Sequence, residues 1–203
     1  IASKRPVRSI LLVSHQPLDE IRTVALDNSS LTSVALTRVL FEKYWGGERA
    51  FTSVAPELDT MLRSNDAALL IGDPALQVDR SRYRTWDLAE EWIRFTGKPF
   101  VFAFWAVRQE AIAGSRIDLA TVFQESRDHG LDRNNLETIV KTWSSKLCLS
   151  PESVREYLTS NIHFALDEEC LDGLRLFYRY AQECGVLLQP PELRFAEPKP
   201  SYI

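Results

Sequence analysis

The sequence predicts an α/β fold, on three observations. Apolar segments alternate with amphipathic ones between residues 20 and 98, the pattern of parallel βαβ units. Two nearly continuous apolar runs, VRSILLVS (7–14) and PFVFAFWAVR (99–108), bracket that region and read as buried strands. After Arg108 the pattern becomes helical.

The elements follow in order. After the 7–14 strand, TVALD (23–27) reads as a strand and SLTSVALTRVLFEKYWG as an amphipathic helix; FTSVAP (51–56), the short helix ELDTMLRS and the strand DAALLIGD (66–73) complete the alternation. In DLAEEWIRFTG, Asp87 is the expected N-cap with Glu90 three residues on, and Gly97 stops the helix before Pro99. Four later segments carry helix signals: LATVFQESRDHG, NNLETIVKTWSSKL, SPESVREYLTSNI and DEECLDGLRLFYRYAQECG. Ser150 caps the third of them, with Pro151 at its first position. In the fourth, Leu171, Leu174, Tyr178 and Ala181 recur at three and four residues, so one face packs. The Pro-rich tail PPELRFAEPKPSYI (190–203) reads as an extended surface strap. The helices after 108 offer apolar faces with no sheet of their own. Together with a first residue of Ile1, this creates the expectation that an N-terminal portion lies outside the chain.

Composition narrows the function. A chain of 203 residues, 45% hydrophobic, suffices for one large domain or two small lobes. Its 24 Lys+Arg against 28 Asp+Glu give a net charge of −4, and no basic stripe is present, so nucleic acid is not an expected partner. The apolar runs are too short to span a bilayer and no signal-peptide pattern opens the chain, so the expectation is a cytoplasmic protein that does not contact membranes. Cys148, Cys170 and Cys184 have no C-x-x-C spacing, and His15, His129 and His163 are scattered. No metal or cofactor is therefore expected. The sequence also lacks G-x-S-x-G, Walker A and G-x-G-x-x-G motifs, which argues against common hydrolase, NTPase and dinucleotide-binding classes.

The strongest functional signal is the helix entrance DNSSLTSVAL (27–36). A helix start has unpaired N–H groups and a partial positive charge. The helix at Asp87 answers that need with its own acids, whereas this one has none in its first turn and no Glu or Gln to close a capping box. Ser30, Thr32 and Ser33 add short donors suited to a carboxylate or phosphate, so an anionic small molecule is the expected ligand. The plainer alternative is that Ser29 or Ser30 only caps the helix. IGDPAL (71–76) would end a strand at the same sheet edge, where open α/β sheets bind ligands. Gly72 there allows close backbone approach and Asp73 can accept from a hydroxylated ligand, although Gly-Asp-Pro is also ordinary turn chemistry. Ser9, a hydroxyl in an apolar strand, is a third candidate. Trp92, Phe104 and Trp105 read as packing, SRDHG (126–130) as a helix end, and DEE (167–169) as first-turn acids.

The ordered set PVRSILLVS (6–14), VALDNSSLTSVAL (24–36), DAALLIGDPAL (66–76), DLAEEW (87–92) and TGKPFVFAFWAVR (96–108) resembles the menaquinone-biosynthesis enzymes of the futalosine pathway, chorismate dehydratase in particular. The match is dense through Arg108 and looser beyond. It implies a type II periplasmic-binding-protein-like fold, two α/β lobes joined by crossover strands, with a helical C-terminal region. On that pattern 1–19 hold the first crossover, 20–98 the second lobe, 99–108 the return crossover, and 109–203 the helical part of a first lobe whose sheet is not in this sequence. The implied reaction converts chorismate to 3-[(1-carboxyvinyl)oxy]benzoate and water without a cofactor. Ser9 matches the serine of the family's P-V-R-S motif, which implies a place beside the reacting part of the substrate. Ser30, Thr32 and Ser33 match its S-x-T-S helix entrance and would grip one of chorismate's two carboxylates. The family's Asn, in an I-P-Y-L-N-type motif, has no counterpart here. A sister enzyme acting on cyclic dehypoxanthinyl futalosine shares the pattern, and non-catalytic solute-binding proteins share the fold.

Overall fold

A computed structural model describes residues 1–114 and 117–196. In chain order it contains β1 (Ala2–Ser3), β2 (Ile10–Ser14), β3 (Thr23–Asp27), α1 (Leu31–Leu40), β4 (Ala50–Val54), α2 (Leu58–Ser64), β5 (Ala67–Ile71), α3 (Asp73–Leu76), β6 (Arg84–Asp87), α4 (Leu88–Thr96) and β7 (Phe100–Val101). Helices α5 (Gln109–Gly114), α6 (Leu119–Leu131), α7 (Arg133–Leu147), α8 (Pro151–Glu156) and α9 (Glu168–Glu183) follow. The last described residues, 190–196, have no regular secondary structure, and the rest of the expected tail strap lies outside the described residues.

The βαβ alternation produces a five-stranded sheet in the order β4-β3-β5-β2-β6. β3 runs parallel to both β4 and β5, as expected. The sheet as a whole is mixed, because β2 enters antiparallel to β5 and β6. Every residue of β2 is buried, which its continuous apolar run requires of a strand covered on both faces. β6 lies in the mixed-polarity stretch RTWD, where no strand periodicity was legible. The 99–108 run forms a strand only at β7, paired with β1. Beyond it, the amides of Phe102 and Ala103 both donate to the Ile1 carbonyl.

Helices cover the sheet. Met61 of α2 packs with Leu11, Val13, Ala25, Ala68 and Leu70, while α1 buries Leu36, Val39 and Leu40. Each such side chain contributes roughly 1.5–3 kcal/mol through burial. Trp92 of α4, fully buried, donates from its indole to the Pro99 carbonyl and meets Phe100 and Phe177 edge-on. The caps expected from sequence form: Asp87 accepts from the amides of Ala89 and Glu90, and Gly97 takes the left-handed conformation that ends α4. The helix expected over 150–162 starts as α8 and then widens into a π-helical turn, Tyr157–Asn161, closed by Ile162 donating to the Tyr157 carbonyl.

The chain divides into two compact units. The first comprises residues Ile1–Ala103 and Glu156–Pro190 and holds both sheets and α9. The second comprises Phe104–Arg155 and the segment from Pro191. In it α6 and α7 pack together and share Asp132 at their junction, where its carboxylate caps α7. An apolar pocket of about 220 Å³ in this unit is lined by Trp105, Ile112, Phe123 and Phe195. No helix among the described residues is long and apolar enough to cross a membrane.

Candidate active site

Strand direction assembles the candidate residues. β3 and β5 are parallel, so both end at one sheet edge, β3 with Asp27 and β5 with Ile71. β2 is antiparallel and starts there, with Ile10 opposite Ile71. Ser9, the α1 entrance and Gly72-Asp73 therefore converge on a single edge. The Gly72 amide donates to the Ser9 carbonyl at 2.7 Å, which ties two of the three candidate segments directly. Gly72 has φ of 63° and ψ of −140°, a conformation that favours glycine, and open space lies where its Cβ would stand. Pro74 follows inside α3, so the turn chemistry read from Gly-Asp-Pro also operates.

At the α1 entrance, Ser30 is the N-cap: its Oγ accepts from the Ser33 amide at 3.2 Å and donates to Ser33 Oγ at 3.0 Å. The plain capping role is thus real for Ser30. Ser33 is buried, 1% exposed, and its carbonyl accepts from Thr37 Oγ1. Thr32 is half-buried on the same turn. By helix geometry the amides of Leu31 and Thr32 have no intrahelical acceptor, which preserves an anion-binding character at this end. Asp27 Oδ1 accepts from both the amide and hydroxyl of Ser29, at 2.9 and 2.6 Å, so Ser29 is committed to the turn. The other oxygen, Oδ2, is buried without a hydrogen-bond partner among the described residues.

Ser9 is held from both sides. Arg8, immediately before it, has φ of 67°, a left-handed conformation uncommon for a side chain of this size. Asp87 sustains it by accepting from the amides of Val7 at 3.1 Å and Arg8 at 2.6 Å, in addition to capping α4. Burial raises the Asp87 pKa above its ordinary value even though these amides oppose the shift. On the other side, the Tyr157 hydroxyl meets Ser9 Oγ at 3.0 Å. Desolvation pushes the Tyr157 phenol up, the Ser9 hydrogen bond opposes it, and the nearby charge of Asp73 adds to the rise.

The amino-acid sequence alone does not mark Tyr157, Asp87 or Asp27 as site residues. For Tyr157 no local signal existed, since 148 positions separate it from Ser9. Asp87 carried a visible cap signature that hid its second task, and Asp27 was marked only by an acid between a strand and a helix.

Among the residues read as packing, Trp92 is core, whereas Trp105 is 77% exposed and stacks on Phe123. SRDHG lies at the C-terminal end of α6, which closes at Leu131, one residue after Gly130. The DEE stretch does begin a helix, with Asp167 capping α9 through the Cys170 amide. Histidine and cysteine are less scattered in space than in sequence: ligand atoms of His163, Asp167 and Cys170 lie within 4.8 Å of one another. Lys4 already occupies the charge position a cation would take, 2.8 Å from the Asp167 Oδ2 that also meets His163 Nε2 at 2.9 Å. Its ammonium holds the Asp167 carboxyl well below the usual carboxylate range. Burial, with Asp167 adding to it, pushes the Cys170 thiol up to about 11.

Known proteins resemble this chain in fold and in sequence. The structure resembles the crystal structure of an Archaeoglobus fulgidus protein with a TM-score of 0.65, at 14% identity, over 92% of this chain and 71% of that one. The sequence is 29% identical to the chorismate dehydratase of Thermus thermophilus over 201 residues, covering 91% of this chain and 70% of that protein. A family model described as menaquinone biosynthesis matches residues 1–183, which takes in every element from β1 to α9 and each candidate residue at the sheet edge. This chain belongs to the menaquinone-biosynthesis family.

Proposed function

We propose that this protein is a chorismate dehydratase, a carbon–oxygen lyase that converts chorismate to an enolpyruvyl ether of benzoate and water. The observation that carries the reading is the Gly72–Ser9 hydrogen bond, which joins the serine segment to the strand end beside the hydroxyl-bearing α1 entrance. The likeness to the Thermus enzyme supports the choice of substrate. Chorismate carries two carboxylates, and the α1 entrance offers one of them the free first-turn amides and the hydroxyls of Thr32 and Ser33, with Ser30 donating to Ser33 Oγ and so leaving the Ser33 proton for the ligand. Gly72 admits the ligand close to the backbone, and Asp73 accepts from its hydroxyl.

In the reaction the ring carbon bearing the ether loses its proton, that C–H electron pair becomes a ring double bond, and the neighbouring C–O bond breaks. Aromatisation makes the elimination downhill, so the protein's work is orientation and stabilisation of the departing oxygen. Ser9 donates to that oxygen. A carboxylate of the substrate takes the ring proton and delivers it to the departing hydroxide, so water leaves and no external base is needed.

The finer fold reading follows the same lines: a type II periplasmic-binding-protein-like architecture with crossovers in 1–19 and 99–108, one lobe over 20–98 and helical parts of another over 109–203. It is supported by the sheet order β4-β3-β5-β2-β6 with β2 antiparallel, and by the β1–β7 pair.

Mass spectrometry of chorismate incubated with the purified protein tests the function. Loss of one water is the expected result. An unchanged substrate, or consumption of a futalosine derivative in its place, would sink the reading. Ser9→Ala should lower kcat about a hundredfold with little change in KM, and Ser33→Ala should raise KM about fivefold with kcat nearly kept. Equal losses in both parameters for both variants would contradict the division of roles.

A further inference from the structure

The contact between Tyr157 and Ser9 is not needed for the proton and oxygen transfers of this reaction. We propose that Tyr157 is a positioning residue, donating to Ser9 Oγ so that the Ser9 proton is directed at the departing hydroxyl of chorismate. The inference rests on the dehydratase reading and adds to it a residue 148 positions from Ser9 in sequence.

A serine hydroxyl has one proton and two lone pairs. Left alone beside Gly72, the Ser9 hydroxyl could spend its proton on any nearby carbonyl. With the phenol 3.0 Å away as donor, one lone pair of Ser9 Oγ is occupied and its proton remains for another acceptor. Hydrogen bonds in such a chain polarise one another, so a Ser9 that accepts from Tyr157 is a better donor than an isolated one. Burial and the Asp73 charge keep the phenol protonated, which is the state this role requires.

The location of the phenol is built into the fold. The π-helical turn that carries it is fastened to the first residues of the chain at several points. Ala2 and His163 exchange backbone hydrogen bonds at 2.9 and 2.8 Å, Ser3 Oγ donates to the Asn161 carbonyl at 2.8 Å, and Asn161 Nδ2 donates to the Pro6 carbonyl at 2.9 Å. These contacts run along the same segment that Asp87 fixes at Val7 and Arg8. The widened turn places Tyr157 at the end of that line, opposite Ser9. Widened turns of this kind recur at functional sites because they redirect a side chain that regular helix geometry would send elsewhere.

No proton leaves Tyr157 in this scheme. The ring C–H proton travels through the substrate carboxylate to the departing oxygen, and the two hydroxyls contribute hydrogen bonds only, so the step remains balanced.

The test is a double-mutant cycle on chorismate turnover with Tyr157→Phe, Ser9→Ala and the double variant. Tyr157→Phe should lower kcat about tenfold, the effect of one lost hydrogen bond in the transition state, with KM within about twofold and the thermal midpoint unchanged. In the Ser9→Ala background the same substitution should change nothing, because a residue acting through Ser9 has no target left. An unchanged kcat in Tyr157→Phe, or an equal further loss in both backgrounds, would overturn the role while leaving the dehydratase reading intact. A wild-type protein that does not dehydrate chorismate would overturn the reading and the role together.

Discussion

At Asp87 one carboxylate accepts from four backbone amides, those of Val7, Arg8, Ala89 and Glu90. Three of these meet Oδ1, and only Arg8 meets Oδ2. Removing the group leaves several buried donors unsatisfied and frees Arg8 to abandon its left-handed conformation. Asp87→Ala should therefore cost about 3 kcal/mol of stability in a urea titration. Asp87→Asn, which keeps the Oδ1 acceptor, should cost about 1 kcal/mol. A loss in the alanine variant no greater than that of an ordinary surface cap would mean that the Val7–Arg8 turn is held by something else. The same contrast should appear in turnover, since the residue that follows this turn is Ser9.

Among the elements, α9 shows how a helix can depend on the absence of a side chain. Gly173 faces the 98–99 backbone so closely that a Cβ would overlap the Pro99 carbonyl oxygen. In an exposed helix, Gly→Ala stabilises by about 1 kcal/mol. Here the clash is with main chain, and that carbonyl also accepts from the Trp92 indole, so it cannot move without disturbing the aromatic cluster of Trp92, Phe100 and Phe177. Gly173→Ala should lower stability by about 2 kcal/mol, read as a drop in Tm. A rise in Tm would show that α9 shifts freely on β7.

For the whole molecule, the cluster of Lys4, His163, Asp167 and Cys170 joins the start of the chain to the start of α9. Asp167 is held below its ordinary pKa of 3.8, first by the Lys4 hydrogen bond, so its contribution is present above 3.8 and lost as pH falls through the folded value. Lys4 is raised above 10.5 by the same partner, so its contribution is full below 10.5 and lost as pH rises through the folded value. Asp87 has the opposite sign from Asp167. Its pKa is raised by burial, so it favours the folded state most below 3.8, and that advantage fades as pH rises through the folded value. Denaturation midpoints of wild type and Asp167→Asn should thus differ between pH 3.8 and 10.5 and converge in acid. A difference that persists undiminished at the lowest pH would show that the carboxylate charge adds nothing.

The strands β2, β3, β4 and β5, the helices α1, α2 and α4, the caps at Ser30, Asp87 and Gly97, and the hydroxyl-rich entrance at Ser30, Thr32 and Ser33 are legible in the amino-acid sequence. Those features are local. Apolar periodicity, cap chemistry and a glycine stop act over a few residues, and each is written in the residues that experience it. How distant segments meet is fixed by the packed fold alone. The antiparallel entry of β2 brings Ser9 to Gly72; β6, with no periodicity of its own, forms because β2 offers an open edge. Asp87 doubles as a clamp on Val7 and Arg8, and the π-helical turn delivers Tyr157 to Ser9 across the length of the chain. Such contacts join residues far apart in sequence, and their geometry is set by the packing of the elements around them, which no local pattern encodes.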